Sequence, residues 1–352
     1  MAVMWLVGVY IYFRFADMFQ KAGAKRWAAV LLSIATIAAL FWRMKLIGLF
    51  AYIALFIIAG DLITLAAKNN KRWKKFWRGG LTGIGLAIVL AIYGYFNAYD
   101  IKTKHYSIAI AKEAGDLDGV RIVLLADTHF GTSIGEREMT EIAERINELQ
   151  PDLVLLGGDI YDESTPPHIA AASLDMWRSI VSTYGIYFVG GNHEYGRYHG
   201  RDVVPVGLSA SGVVILEDEA VLIDNSFWLV GRRDIGGHGG KKSGLPQRMQ
   251  VSMIMEGLDT SRPVIVLDHQ PTELDLLAAE GADLHLSGHT HGGQIWPFGQ
   301  ISVLMRANEE LYGLYRRGHM HGVVSSGTGV WRFPMRVGTN SEIVVIDVAF
   351  GG

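Results

Sequence analysis

The chain has 352 residues, half of them hydrophobic, with no cysteine and a net charge of −3. The absence of cysteine excludes disulfides, thiolate metal sites and a cysteine nucleophile. Residues 1–104 carry 14 Lys and Arg against 3 Asp and Glu, and the remainder carries 18 against 32, so a basic, apolar front precedes an acidic back that disfavours nucleic acid as a partner.

Four apolar stretches open the chain, at 1–19, 27–42, 46–67 and 81–98. About 20 apolar residues cross a bilayer, and roughly 17 suffice. The pattern predicts an N-terminal bundle of about four transmembrane helices. The first stretch is weakened by Arg14 and Asp17. It lacks the leading basic segment and small-residue cleavage site of a signal peptide. Asp61 interrupts the third stretch. An acid at that depth is a functional candidate by default, and the preferred reading is that it reaches the headgroups from near the helix end.

Lys and Arg in short loops set orientation. The loop 68–80 carries Lys68, Lys71, Arg72, Lys74, Lys75 and Arg78, with Trp73 and Trp77 suited to the interface. It is expected in the cytoplasm, as is 20–26 with Lys21, Lys25 and Arg26; Arg43 and Lys45 mildly oppose the pattern. The last helix then leads outward. The expectation is a multi-pass protein of the cytoplasmic membrane, its following domain outside the cytoplasm and the lipid bilayer its partner.

From Tyr106 short β-rich runs alternate with helices. Strands are expected at 120–126, 152–158 and 185–191, then at 213–216, 221–223, 227–230, 264–267, 283–286, 323–326 and 343–349. Helices are expected at 136–150, where Met139, Ile142, Ile146 and Leu149 share a face and Pro151 follows, and at 169–183. This is an α/β (α+β) pattern with mixed sheets. It divides the chain into a transmembrane domain, 1–104, and a second domain, 105–352. The stretch "GGHGGKKSG" at 236–244 is expected to be a flexible loop.

Five of these strands end on chemistry. "DTH" supplies Asp127 and His129, "GGDIYD" supplies Asp159 and Asp162, and "GGNHE" supplies Asn192, His193 and Glu194. "DHQP" supplies Asp268 and His269, and "SGHTH" supplies His289 and His291. Ligands of α/β proteins bind at the carboxyl ends of strands. Residues i and i+2 of an extended segment point the same way, so each Asp-x-His or His-x-His pair can aim at one place. The neighbouring glycines let backbone approach a crowded centre. Imidazole and carboxylate without sulfur suit Mn, Fe or Zn. Six or seven such ligands are too many for one ion and fit two, an arrangement used to hydrolyse phosphate esters.

In that order, these motifs resemble the calcineurin-like metallophosphoesterases over the back 250 residues or so. With "GHTHGGQ" and the preceding helices, the chain is similar to the membrane-anchored subgroup, transmembrane proteins with a metallophosphoesterase domain. The resemblance implies a four-layer double β-sandwich flanked by helices. It implies that Asp127, His129 and His291 hold one divalent ion, that Asn192, His269 and His289 hold another, and that Asp159 bridges them. His193 is the implied proton donor, oriented by Asp162. No expected position is substituted. The function expected is hydrolysis of a phosphate ester, phosphodiester or pyrophosphate, lipid-linked because four helices exceed what anchoring requires.

Among the remaining residues, Arg332 and Arg336 are candidates to fork onto a substrate phosphate, and His199 to line the pocket. Glu194 is expected to support its loop. Gly292 and Gly293 are read as room for backbone beside the metals; Trp296 and Phe298 belong either to a packed loop or, in a chain tethered by helices, to one resting against lipid.

Overall fold

The computed structural model describes residues 2–42, 46–67, 70–77, 80–194, 203–235, 248–300 and 308–351. Arg43, Lys45, Lys68, Arg78, His199 and the stretch 236–244 lie outside the described residues. The chain forms two compact units, Met1–Phe96 with Arg332–Met335, and Asn97–Trp331 with Arg336–Gly352. Elements are numbered in chain order.

The first unit contains α1 (Ala2–Lys21), α2 (Arg26–Trp42), α3 (Ile47–Ala66), α4 (Lys71–Trp77) and most of α5 (Leu81–Tyr99). Against the expected four or so, two described helices are long and apolar enough to cross a membrane: α3 and α5, of mean hydropathy 2.2 and 1.6. Helix α1 carries Arg14, Asp17 and Lys21, and α2 has only 17 residues.

Two expectations in this unit change. Part of the basic loop is helical, because Trp77 anchors α4: its buried indole fills the space over Gly60 and Gly83, where a Cβ would fall 2.1 and 2.6 Å from ring atoms. Trp73 stacks on Trp77 with centroids 5.8 Å apart and donates to the Thr64 hydroxyl at 2.8 Å. Asp61 does not reach outward. It accepts from Arg14 Nη2 at 3.0 Å, the Tyr10 hydroxyl at 2.6 Å and Trp77 Nε1 at 2.9 Å. Three donors from α1 and α4 satisfy a carboxylate more fully than the side chain's short reach toward headgroups would.

The second unit opens with β1 (Lys102–Ile110), β2 (Gly119–Leu125), α6 (Glu136–Glu148), β3 (Leu153–Gly157), α7 (Pro167–Ser179) and β4 (Ile186–Val189). It continues with β5 (Val213–Ile215), β6 (Glu219–Ile223), β7 (Phe227–Gly231), α8 (Val251–Met255), β8 (Val264–Leu267), α9 (Leu274–Ala279) and β9 (Leu284–Ser287). Then come β10 (Gly313–Arg317), β11 (Met320–Val324) and β12 (Glu342–Phe350). One six-stranded sheet runs β1-β12-β2-β3-β4-β5 and the other β10-β11-β9-β8-β7-β6. Strands β2 to β5 are mutually parallel, as are β7, β8, β9 and β11.

Alternation of side chains along each strand sorts the core into layers. Ile122, Leu124, Leu153 and Leu155 of the first sheet meet Leu229, Ile265, Leu284 and Leu286 of the second. Val123, Leu125, Val154 and Leu156 face the other way, against Ile142 and Ile146 of α6 and Trp177 of α7. On the far side of the second sheet Val230, Val264 and Val266 pack on α8 and α9. The order is helices, sheet, sheet, helices. Strands β1 and β10 escape the sequence pattern: β1 is mostly exposed along its first residues, and β10, at a sheet edge, alternates exposed and half-buried positions after the buried Gly313. Helices α8 and α9, with five and six residues, are too short for periodicity to declare them.

Candidate metal centre

The parallel strands of both sheets deliver their carboxyl ends to one place. Asp127 follows β2, Asp159 follows β3, Asn192 and His193 follow β4, His269 follows β8, and His289 and His291 follow β9. Asp127, His129 and His291 form one group whose ligand atoms lie within 4.8 Å of one another, and Asp159, His269 and His289 form a second. The Oδ2 of Asp159 lies 3.2 Å from His269 Nε2 and 3.9 Å from His129 Nε2, so it reaches both groups. Asn192 Oδ1 is 3.1 Å from His269 Nε2.

The nitrogens themselves test whether ions fit. His129 Nε2 and His291 Nε2 are 3.2 Å apart, and His269 Nε2 and His289 Nδ1 are 3.1 Å apart. Two nitrogens bound to one ion at about 2.1 Å and roughly right-angled to tetrahedral geometry lie ~3.0–3.4 Å apart, so each pair has the spacing of two ligands on one cation. The donor set, imidazole and oxygen without sulfur, suits Zn, Mn or Fe. A dinuclear divalent metal site fits these residues.

Backbone conformation at the centre is costly. Asp127, His129, Asp159, His289 and His291 all adopt positive φ, between 42° and 71°, where an L-residue is disfavoured by roughly 1–2 kcal/mol. Such outliers gather at functional sites when the surroundings over-determine them. Glycine is required where backbone passes close to the carboxylates of these groups: a Cβ on Gly191 would fall 2.3 Å from Asp159 Oδ1, and one on Gly288 2.2 Å from Asp127 Oδ2. Gly292 and Gly293, expected to serve the same purpose, instead make room for Thr339 and Gly299.

Among the side chains alone, burial pushes the Asp127 carboxyl up to about 6, which a cation beside it would reverse. Burial also pushes Asp159 up, but His269, bonded to it, with His193 and His129, outweighs that and holds it well below the usual carboxylate range. Glu194 braces the β3 and β4 loops as expected. Fully buried, it accepts from the backbone N–H groups of Asp159, Ile160, Tyr161 and Gly191 at 2.6–2.9 Å. Burial and then the Asp159 charge push its carboxyl up to about 7.

The expected pairing of Asp162 with His193 is not formed. Asp162 Oδ2 lies 2.9 Å from His129 Nδ1, while its Oδ1 accepts from the Ser164 amide and hydroxyl. The turn through Ser164 points Asp162 inward, and the next residue, Glu163, meets His193 Nδ1 at 2.8 Å. Despite burial, the His129 and Ser164 bonds hold Asp162 down at about 2. The expectation for Arg336 also fails. It is fully buried, donating from Nη1 to the His291 carbonyl at 2.9 Å and from Nη2 to the Gly329 carbonyl at 2.6 Å, so its guanidinium shapes the metal loop and is closed to substrate. Burial pushes it down to about 10. Arg332 is exposed, at φ 62°.

Two residues escaped the sequence reading. Trp331 packs against His193 with ring centroids 5.9 Å apart. Gln294, the last residue of "GHTHGGQ", accepts from the Trp331 amide at 3.0 Å and donates to its carbonyl at 3.1 Å. A glutamine at the end of a ligand motif was the signal for the second; nothing in the sequence ties Trp331 to it.

The family model for calcineurin-like phosphoesterase matches residues 120–293. An uncharacterized metallophosphoesterase of Helicobacter pylori strain J99 is 34% identical over 294 residues, covering 81% of this chain and 74% of the relative. A transmembrane protein with metallophosphoesterase domain from Danio rerio is 31% identical over 278 residues, covering 74% of this chain and 60% of the relative. A protein from Bos taurus with the same description is 32% identical over 276 residues, covering 72% and 59%.

Proposed function

We propose that this chain, which belongs to the calcineurin-like metallophosphoesterases, hydrolyses a lipid-linked phosphate ester, phosphodiester or pyrophosphate at the outer face of the cytoplasmic membrane. Membership makes it a metal-dependent phosphoric ester hydrolase. The observation that carries the site is the two ligand groups joined by Asp159 at the strand ends. In this reading Asp127, His129 and His291 hold one ion, Asn192, His269 and His289 the other, and Asp159 lies between. Bound divalent ions neutralise charge on the phosphoryl oxygens and make water acidic enough to attack phosphorus near neutral pH.

The remaining work falls to the chain. Asp162 fixes the tautomer of His129, so that Nε2 is the ligand nitrogen. The His193 backbone amide donates to Asp159 Oδ1 at 2.9 Å, keeping the histidine beside the centre. With Nδ1 engaged by Glu163, a proton supplied by His193 leaves from Nε2, toward the departing oxygen.

The lipid-linked substrate is supported by helices α3 and α5 and by relatives described as transmembrane. The fuller reading adds α1 and α2 as further spans, making a membrane part up to about residue 104 and a catalytic part beyond it. The basic segment between α3 and α5 then stays in the cytoplasm and α5 leads out. The test is a screen of the purified full-length protein with Mn²⁺ against phospholipids, nucleotide-linked glycolipids and soluble diesters, with products identified by mass. Asp159→Asn and His193→Ala serve as controls. Turnover confined to lipid-linked compounds and lost in both variants is expected. Preference for soluble diesters would overturn the substrate class, and undiminished activity in both variants would overturn the site.

A further inference from the structure

We propose that Trp331 is a specificity-determining residue that selects leaving groups with a flat or apolar carbon surface next to the scissile oxygen. The inference rests on the reading of His193 as proton donor. A donor must touch the departing oxygen, so whatever that oxygen carries lies beside the His193 ring. That ring is only 4% exposed. It meets His129 edge-on with centroids 5.2 Å apart, is held at Nδ1 by Glu163, and packs against the tilted Trp331 indole. Among these described neighbours His129 and Glu163 are polar, Trp331 offers an aromatic face, and its side chain is only half-buried.

Its placement is fixed by the metal loop itself. Gln294 is buried and grips both the amide and the carbonyl of Trp331. Gln294 also donates its own amide to the His291 carbonyl at 3.0 Å. One loop therefore carries two ligand histidines and the clamp that holds an aromatic wall beside the proton donor. Such a wall offers a leaving group dispersion and stacking and offers a small hydrophilic alcohol very little.

The experiment uses full-length protein with Mn²⁺ and phosphodiesters that share one retained group and differ in the leaving alcohol: ethanol, 1-hexanol or 2-phenylethanol. These alkoxides are of similar basicity, so differences report surface contact. Wild type is expected to favour the phenylethyl over the ethyl ester by about tenfold in kcat/KM, Trp331→Ala to shrink that ratio to about twofold, and Trp331→Phe to keep most of it. Dissociation constants of ethylphosphonate and 2-phenylethylphosphonate, read by calorimetry, should show the same ratios without turnover. Melting temperatures check that each variant folds, and the Phe variant preserves the test if the Ala variant does not. A ratio unchanged in Trp331→Ala, or absent in wild type, overturns the proposal. So does an equal loss on all three esters, which would make Trp331 a brace for His193. Undiminished turnover in His193→Ala would instead overturn the proton-donor reading, whatever the ratios.

Discussion

Glu163 and Asp162 are neighbours in the chain, yet they serve different histidines: Glu163 holds His193 at 2.8 Å and Asp162 holds His129 at 2.9 Å. The two carboxylates should therefore fail in different ways. Glu163→Gln is expected to lower kcat on an alkyl ester by roughly 10–100-fold, with less effect on a nitrophenyl ester whose leaving group needs no proton, and to leave bound metal unchanged. Asp162→Asn should instead weaken metal retention by roughly 10–100-fold. Metal content after chelator challenge, measured beside kcat, separates them. The reverse pattern would reassign the pair.

A pH-dependent stability term is expected from His285. Its ring is fully buried, with Nδ1 2.7 Å from the Tyr315 hydroxyl. Burial, helped by the charges of Arg232 and Arg248 and opposed by Asp268, pushes it from 6.5 down to about 4. A depressed histidine stays neutral in the fold while the unfolded chain takes up its proton. Its contribution is complete above pH ~6.5 and is lost as pH falls toward 4. At about 1.4 kcal/mol per pH unit, the loss approaches 3 kcal/mol. His285→Gln removes the titration, so the difference in unfolding free energy between pH 7 and pH 4.5 should shrink by roughly 2 kcal/mol. An unchanged difference would show that His285 is not responsible.

The ion pair in the first unit gives a third test. Arg14 and Asp61 are each about a fifth exposed, at 19% and 20%. Removing Asp61 leaves Arg14 its bond to Asp17 at 3.2 Å, so the loss should fall below the roughly 3–5 kcal/mol of a fully stranded charge, whereas replacing both partners with apolar residues is often near neutral. Asp61→Leu should lower the melting temperature in detergent sharply, and Arg14→Leu with Asp61→Leu should recover most of the loss. A double variant no better than the single one would locate the role of Asp61 with Tyr10 and Trp77.

Trp296 is 57% exposed on the loop that leaves the ligand histidines. Aromatic side chains concentrate at the membrane interface. If this loop rests against lipid, Trp296→Ser with Phe298→Ser should cut turnover of a lipid-linked substrate about tenfold and a soluble ester far less. Equal losses on both would assign the loop a packing role.

Much of the second unit was legible because its strands are short, apolar and end on Asp, Asn or His. Asp127, His129, Asp159, Asn192, His269, His289 and His291 could be grouped from those strand ends before any fold was known. What was not legible depends on turns and on distant chain. The Ser164 turn decides which carboxylate meets which histidine, and no residue pattern encodes that rotation. Arg336 looks like any phosphate-binding arginine until the carbonyls of His291 and Gly329 are seen around it. Asp61 looked isolated because its partners Arg14 and Trp77 lie 47 and 16 residues away.

The left-handed backbone at Asp127, His129, Asp159, His289 and His291 has a consequence for how this gene can decay. Each of these positions would be more comfortable for glycine, so the fold holds its catalytic geometry against its own conformational preference. Drift that replaced a ligand by glycine would relieve that strain while abolishing the chemistry. Glycine at these buried positions also leaves a void and orphans partners such as the His193 amide bonded to Asp159, so loss of the site carries a stability cost that the relieved strain only partly offsets.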